Sequence, residues 1–168
     1  NPGSIIVLTG CFPQAFKSEA EKLYDADIVT GSKNRNDVIN LVKQYMLNNE
    51  RIIKISDYEK SDTFETMKNY EFVDKTRAFI KIQDGCDQFC SYCIIPTARG
   101  RIRSKPLADL REEVLGLAEA GHKEIVLVGI NLSFYGKEFG LRLVDAVELC
   151  CSIDGIERVR LGSLEPEI

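Results

Sequence analysis

The 168-residue sequence predicts an α/β protein in two parts: the C-terminal part of a doubly wound parallel-sheet domain, followed by the first half of a (β/α) barrel. Three observations carry this reading. Short apolar runs alternate with amphipathic stretches at helical spacing, the sequence pattern of a parallel sheet with crossover helices. A charged span with no sustained period, residues 50–77, separates two such series and reads as an interdomain connection. A cysteine-rich loop directly follows the first strand of the second series, and barrels carry their chemistry at the C-terminal ends of their strands. The expected divisions are therefore 1–49, the connection 50–77, and 78–168.

In the first series, residues 5–9 read as a strand, 14–24 as a helix, 27–30 as a strand and 36–48 as a helix. Val38, Leu41, Val42, Tyr45 and Met46 place one apolar face on that second helix. In the second series, 78–82 is a strand, and the cysteine loop and a basic segment come next. A helix over 106–120 presents Leu107, Leu110, Val114 and Leu117 on one face, with Pro106 suited to its first turn and Gly121 to its C-terminal cap. Residues 124–128 form a buried strand, 141–152 a helix, and 158–161 a strand whose apolar residues are Val159 and Leu161. On the 141–152 helix, Val144, Val147 and Cys151 share a face, so Cys150 and Cys151 both read as packing residues. Adjacent helical cysteines point in different directions and do not share a metal.

Composition narrows the class. With 44% hydrophobic and 29% charged residues the chain is that of an ordinary soluble protein, and no run of about 18 apolar residues announces a membrane span. Six cysteines (11, 86, 90, 93, 150 and 151) without regular spacing suit a reducing compartment, so a cytoplasmic protein is expected. A net charge of −4 argues against a chain that coats nucleic acid non-specifically. Charge is local, however: Arg99, Arg101, Arg103 and Lys105 put four cations into seven residues, either a solvated loop or a set of phosphate contacts.

The most informative stretch is Cys86-Asp87-Gln88-Phe89-Cys90-Ser91-Tyr92-Cys93, a C-x3-C-x2-C spacing. An iron–sulfur cluster built for electron transfer normally takes four cysteines, so three in one loop leave an iron open for a substrate. Zinc is the main competitor, but structural zinc prefers repeated C-x2-C pairs with four ligands, and the sole histidine, His122, lies far along the chain at a helix-to-strand turn. A disulfide framework fits less well still. Tyr92 reads either as a loop aromatic that covers the cluster or as a contact to a cofactor bound there.

The open-iron spacing with an aromatic before its third cysteine resembles the radical S-adenosylmethionine (SAM) enzymes. In these, the amino and carboxylate groups of SAM chelate the fourth iron, and cleavage of the sulfonium yields a 5′-deoxyadenosyl radical. Longer runs resemble the methylthiotransferases of that superfamily: Lys81-Ile82-Gln83-Asp84-Gly85-Cys86, Ile94-Ile95-Pro96-Thr97-Ala98-Arg99-Gly100-Arg101 and Val128-Gly129-Ile130-Asn131-Leu132. Val7-Leu8-Thr9-Gly10-Cys11-Phe12-Pro13-Gln14 is similar to the family's N-terminal domain near its third cluster-binding cysteine, and Leu161-Gly162-Ser163-Leu164-Glu165-Pro166 to a segment beside the SAM site. The resemblance covers nearly the whole chain.

It implies a radical SAM barrel and two 4Fe–4S clusters, one cleaving SAM and held by Cys86, Cys90 and Cys93, the other supplying sulfur with Cys11 among its ligands. Tyr92, Gly129, Asn131 and Ser163 are candidate SAM contacts, since they lie in the cluster loop or at strand ends, where turn and packing roles compete. Arg99, Arg101 and Arg103 are candidate contacts to a tRNA backbone. The runs before Cys86 and after Val128 favour the branch that methylthiolates C2 of threonylcarbamoyladenosine beside the tRNA anticodon. Branches acting on isopentenyladenosine or on a ribosomal protein, and a non-catalytic electron-transfer module, are the alternatives. The expected partners are the tRNA anticodon loop and an electron donor such as flavodoxin or ferredoxin, with no membrane. Two further cysteines for the second cluster are expected before Asn1, and the rest of the barrel and a small RNA-binding domain after Ile168, so the chain is expected to be a fragment, inactive alone.

Overall fold

Parallel pairing of the short apolar runs builds two three-stranded sheets in the computed structural model, which describes residues 3–33, 35–66, 77–162 and 164–165. The chain divides into two compact units, residues 1–60 with 87–101, and residues 61–86 with 102–168.

In the first unit the order is β1 (Val7–Leu8), α1 (Cys11–Ala15), α2 (Lys17–Glu21), β2 (Ile28–Thr30), α3 (Val38–Asn48) and β3 (Ile52–Lys54), with α4 (Ile95–Arg99) contributed from farther along the chain. The sheet runs β1-β2-β3, parallel throughout, with Val7 opposite Ile28 and Ile28 opposite Ile52. A small core of Ala20, Ala26 and Val29 takes Leu8 and Ile55 against it. Asp27 ties three elements together. Its carboxylate accepts the Ile6 N–H and the Tyr45 hydroxyl, each at 2.7 Å, and these bonds hold its pKa below the usual carboxylate value.

Two expectations change here. The helix expected over 14–24 is two short helices, broken at Phe16 (φ −126°, ψ 62°), whose carbonyl starts a new turn by accepting the Ala20 N–H. The first of them begins at Cys11, since Pro13 in a first turn gives up no helical hydrogen bond. Residues 52–54, expected within the connection, pair with β2 as the third strand, so the first sheet extends farther along the chain. On α3 the expected face is inward at Leu41 and fades along the helix, with Met46 exposed.

The second unit runs β4 (Arg77–Lys81), β5 (Gln83–Asp84), β6 (Arg103–Ser104), α5 (Leu107–Glu119), β7 (Glu124–Val128), α6 (Leu143–Cys151) and β8 (Arg158–Leu161). Its main sheet is parallel in the order β4-β7-β8, with α5 joining the first pair and α6 the second. Leu110, Val114 and Leu117 of α5 pack with Ala78, Ile80, Ile125 and Leu127 of the strands and with Ala146 and Cys150 of α6. Lys105, almost wholly buried, is paired with Glu113, and its ammonium also lies 5.6 Å from the centre of the Phe64 ring. Across the strands, Glu124 accepts from Arg158 and Arg160 at 2.7 and 2.6 Å, which lowers its pKa. Among the described residues no helix is long and apolar enough to cross a membrane.

Cys150 is the packing residue the sequence predicts, but Cys151 is exposed, because the core admits one of two neighbours about 100° apart on a helix. Burial pushes the Cys150 thiol up from 9.0 to about 12, with Cys151 a lesser cause. The unfolded chain then loses this proton first as pH rises, so stability is lost between about pH 9 and 12. Urea unfolding across that range is expected to show a steeper fall for the native sequence than for Cys150→Ala. Identical slopes would show that the buried thiol does not contribute.

Candidate functional site

Cys86, Gly129 and Asn131 follow strand ends in the second unit, and Cys11 follows β1 in the first. In the second unit, β4 passes through Ile82 into β5, and β5 pairs antiparallel with β6, Gln83 opposite Ser104 and Asp84 opposite Arg103. Residues 85–102 therefore leave and return through a two-stranded neck. Ser104 closes it further: its N–H and hydroxyl both bond the Glu138 carboxylate, and its Oγ accepts the Gly136 N–H at 2.8 Å.

Within this neck, Gln83 is wholly buried. Its Nε2 donates to the carbonyls of Gly85 and Asp84 at 2.7 and 3.1 Å, and its Oε1 accepts the Asn131 N–H at 2.8 Å. Gly129 leaves room for it, since a Cβ there would lie 2.9 Å from Gln83 Cβ. Asn131 is buried as well. Its Oδ1 accepts the Ser133 N–H at 3.2 Å and caps the following 3-10 turn, while Nδ2 lies 3.4 Å from Glu165. Cys86, just past β5, is buried.

Arg103 departs from its expected role. It is buried, with its guanidinium 3.9 Å from the Asp84 carboxylate, which also receives Lys81 at 2.8 Å. A side chain turned inward onto an acid is withdrawn from solvent phosphates, and Lys105 beside it is likewise buried on Glu113. Arg101 is exposed.

In the first unit, Cys90 is exposed and Cys93 half-buried, joined by a turn in which the Cys93 N–H donates to the Cys90 carbonyl at 2.9 Å. Tyr92 stands 88% exposed, and Phe89 sits in the left-handed region at φ 48°, a costly conformation for a side chain of its kind. Beyond this turn α4 docks through its buried Ala98, whose carbonyl accepts the Ser32 hydroxyl. The next residue, Arg99, points Nε at Cys11 Sγ, 3.1 Å away, on the helix that follows β1. The structure thus brings together two expected site residues, one a proposed ligand and the other expected on RNA. Gln14, buried, does for this sheet what Gln83 does for the other. It donates to the Ser56 carbonyl at 2.9 Å and accepts the Ser32 N–H at 3.0 Å. A cavity of about 720 Å³ opens nearby, lined by Phe16, Lys17, Tyr58, Phe89, Pro96 and Arg101 among others.

All six cysteines are free thiols. Among the described residues no three or more Cys, His, Asp or Glu side chains are gathered as a metal site. The donor set nevertheless fits an iron–sulfur cluster in its chemistry: three free thiols at C-x3-C-x2-C spacing in an irregular segment, soft ligands of the kind iron–sulfur clusters take. Ser163 lies outside the described residues. Sequence reading missed Gln83 and Gln14. The available signal was an uncharged amide three residues from a cysteine, Gln83 before Cys86 and Gln14 after Cys11.

Residues 80–166 match the family model of the radical SAM superfamily. Over 168 residues the chain is 39% identical to the threonylcarbamoyladenosine tRNA methylthiotransferase of Thermotoga maritima, covering 99% of this chain and 38% of that protein. It is 34% identical over 164 residues to the enzyme of the same name from Aquifex aeolicus, covering 98% and 40%. It is 35% identical over 172 residues to the tRNA-2-methylthio-N(6)-dimethylallyladenosine synthase of a Sulfurihydrogenibium species, covering 99% and 38%. The chain belongs to the radical SAM superfamily, and the resemblance to its methylthiotransferases is borne out along nearly all of its length. It spans about two fifths of the length of these relatives. The family assignment implies 4Fe–4S clusters and SAM as cofactors.

The bridging role of Gln14 is open to direct measurement. Gln14→Leu keeps the volume but leaves the Ser32 N–H and Ser56 carbonyl without this partner, and is expected to cost about 1–3 kcal/mol. Denaturant unfolding reads the cost, and a change below about 0.5 kcal/mol would remove Gln14 from its structural role.

Proposed function

We propose that this chain is part of an enzyme that methylthiolates C2 of threonylcarbamoyladenosine next to the tRNA anticodon by radical SAM chemistry. The observation that carries the proposal is the C-x3-C-x2-C segment, which follows β4 and β5 inside the stretch matching the radical SAM family. The names of the relatives support the substrate. A second reading, the dimethylallyladenosine substrate, has its own support in the relatives that are 35% identical.

In this reading Cys86, Cys90 and Cys93 hold the SAM-cleaving cluster, and Cys11 is one ligand of a second. When bound, cluster and SAM supply a radical able to take the strong, nonacidic C2–H of adenine, which neither a base nor a nucleophile opens. The chain's own residues set the stage. Asn131 and Gly129, at the end of β7, and Tyr92, exposed beside Cys93, are the proposed SAM contacts, with Ser163 proposed on resemblance. Arg101 is the proposed phosphate contact, positioning RNA without reading its bases. Arg99 is directed at Cys11 and Arg103 at Asp84, so neither enters the proposed contact set. The β4-α5-β7-α6-β8 series supports the half-barrel reading, and β1-β2-β3 with α3 the doubly wound one. The anticodon loop and a flavodoxin or ferredoxin donor are the proposed partners, in a reducing cytosol that keeps these thiols free.

Two measurements on the full-length protein test this. Replacing Cys86, Cys90 and Cys93 together by Ala is expected to remove one cluster's iron and sulfide and abolish 5′-deoxyadenosine formation from SAM, and retention of both would end the assignment. Arg101→Ala is expected to lower the salt slope of tRNA binding by about one unit while leaving uncoupled SAM cleavage intact. A wild-type slope would return Arg101 to the solvated surface.

A further inference from the structure

Gln83 is wholly buried, yet its functional group does not serve apolar packing. Both ends of the amide are engaged by backbone at two different strand ends. Nε2 holds the carbonyls of Asp84 and Gly85, the residues just before Cys86, and Oε1 holds the N–H of Asn131, three residues past the end of β7. The amide is planar and its donor and acceptor are fixed relative to each other. Its hydrogen bonds at 2.7 and 2.8 Å weaken steeply with misalignment, so a displacement of one loop strains the bond to the other. Gly129, whose missing Cβ admits Gln83 at close range, belongs to the same arrangement. A residue that merely filled this space would be apolar, since an amide buried without partners is costly.

We infer that Gln83 is a positioning residue that couples the first proposed cluster ligand, Cys86, to the Asn131 loop, so that cluster and bound SAM keep one mutual setting. This rests on the proposed reading of Cys86, Cys90 and Cys93 as cluster ligands. The two arms of the amide have separable tasks, one toward the cysteine loop and one toward the loop after β7.

Two substitutions exploit that separation. Gln83→Glu keeps an acceptor for the Asn131 N–H but sets a carboxylate oxygen against the carbonyls of Asp84 and Gly85. Gln83→Met fills a similar volume with neither arm. In the full-length protein carrying this chain, reconstituted without oxygen, the readouts are iron content, thermal midpoint, SAM affinity by equilibrium dialysis, and the change in the electron paramagnetic resonance spectrum of the reduced cluster on adding SAM. Gln83→Glu is expected to retain wild-type iron while its Kd for SAM rises about tenfold and the spectral change shrinks, the loss of about one well-made interaction. Gln83→Met is expected to lose at least as much. Wild-type SAM affinity and spectral response in both variants would overturn the inference. So would a lowered thermal midpoint with unchanged SAM affinity in the protein that keeps its cluster, which would leave Gln83 a stabiliser alone. A wild-type protein without a cluster dependent on Cys86 would overturn the underlying assignment, and that result is read before any variant is compared.

Discussion

A primary amide buried at the carboxyl edge of a parallel sheet must find both a donor and an acceptor, and this requirement organises each unit. Parallel strands end in loops whose backbone groups have no ladder partner, and side chains or water must satisfy them. Gln83 supplies the bridge in one unit, from the Asp84 and Gly85 carbonyls to the Asn131 N–H. Gln14 supplies it in the other, from the Ser56 carbonyl to the Ser32 N–H. Glycines stand where these amides need space, Gly129 against Gln83 and Gly31 against Gln14. The loop that carries Cys86 begins from the braced Asp84 and Gly85, so the Gln83 bridge reaches it through backbone.

The same economy governs charge. The basic segment reads as four cations available to solvent, but three are directed into the protein: Arg99 at Cys11, Arg103 at Asp84 and Lys105 at Glu113. Arg103 and Lys105 meet their partners where water is scarce, and there a pairing matters more than at the exposed surface, whereas Arg99 and Cys11 are half-buried. A local run of positive charge is thus divided between fixing the neck and α4 in place and presenting Arg101 outward.

Elements with a sustained period were legible in the sequence. The α5 face of Leu110, Val114 and Leu117 and the β7 strand follow directly from spacing, and so does the cysteine motif, because a ligand count is a property of the chain itself. What escaped depends on partners distant in sequence. β5 and β6 are two residues each and have no period to detect, and they exist because Gln83 meets Ser104 and Asp84 meets Arg103. β3 is a short apolar run flanked by charges, indistinguishable from a connection until β2 lies beside it. Cys151 was placed on the wrong side because Leu141 to Ser152 is apolar around much of its circumference, and only the packing of Ala146 and Cys150 against the sheet selects the phase.

The neck that returns the chain at Arg103 also sets an order of events during synthesis. The first unit is discontinuous, residues 1–60 with 87–101, so its closing contacts join Ser32 to Ala98 and Cys11 to Arg99 across 66 and 88 residues. In a nascent chain the residues of β1, β2 and β3 are made before those of α4, which dock on their unit only afterwards. Contacts of such long sequence separation form slowly, because loop-closure entropy is lost before they repay it. The Cys11 thiol consequently meets Arg99 late, whereas the turn that joins Cys90 to Cys93 closes locally.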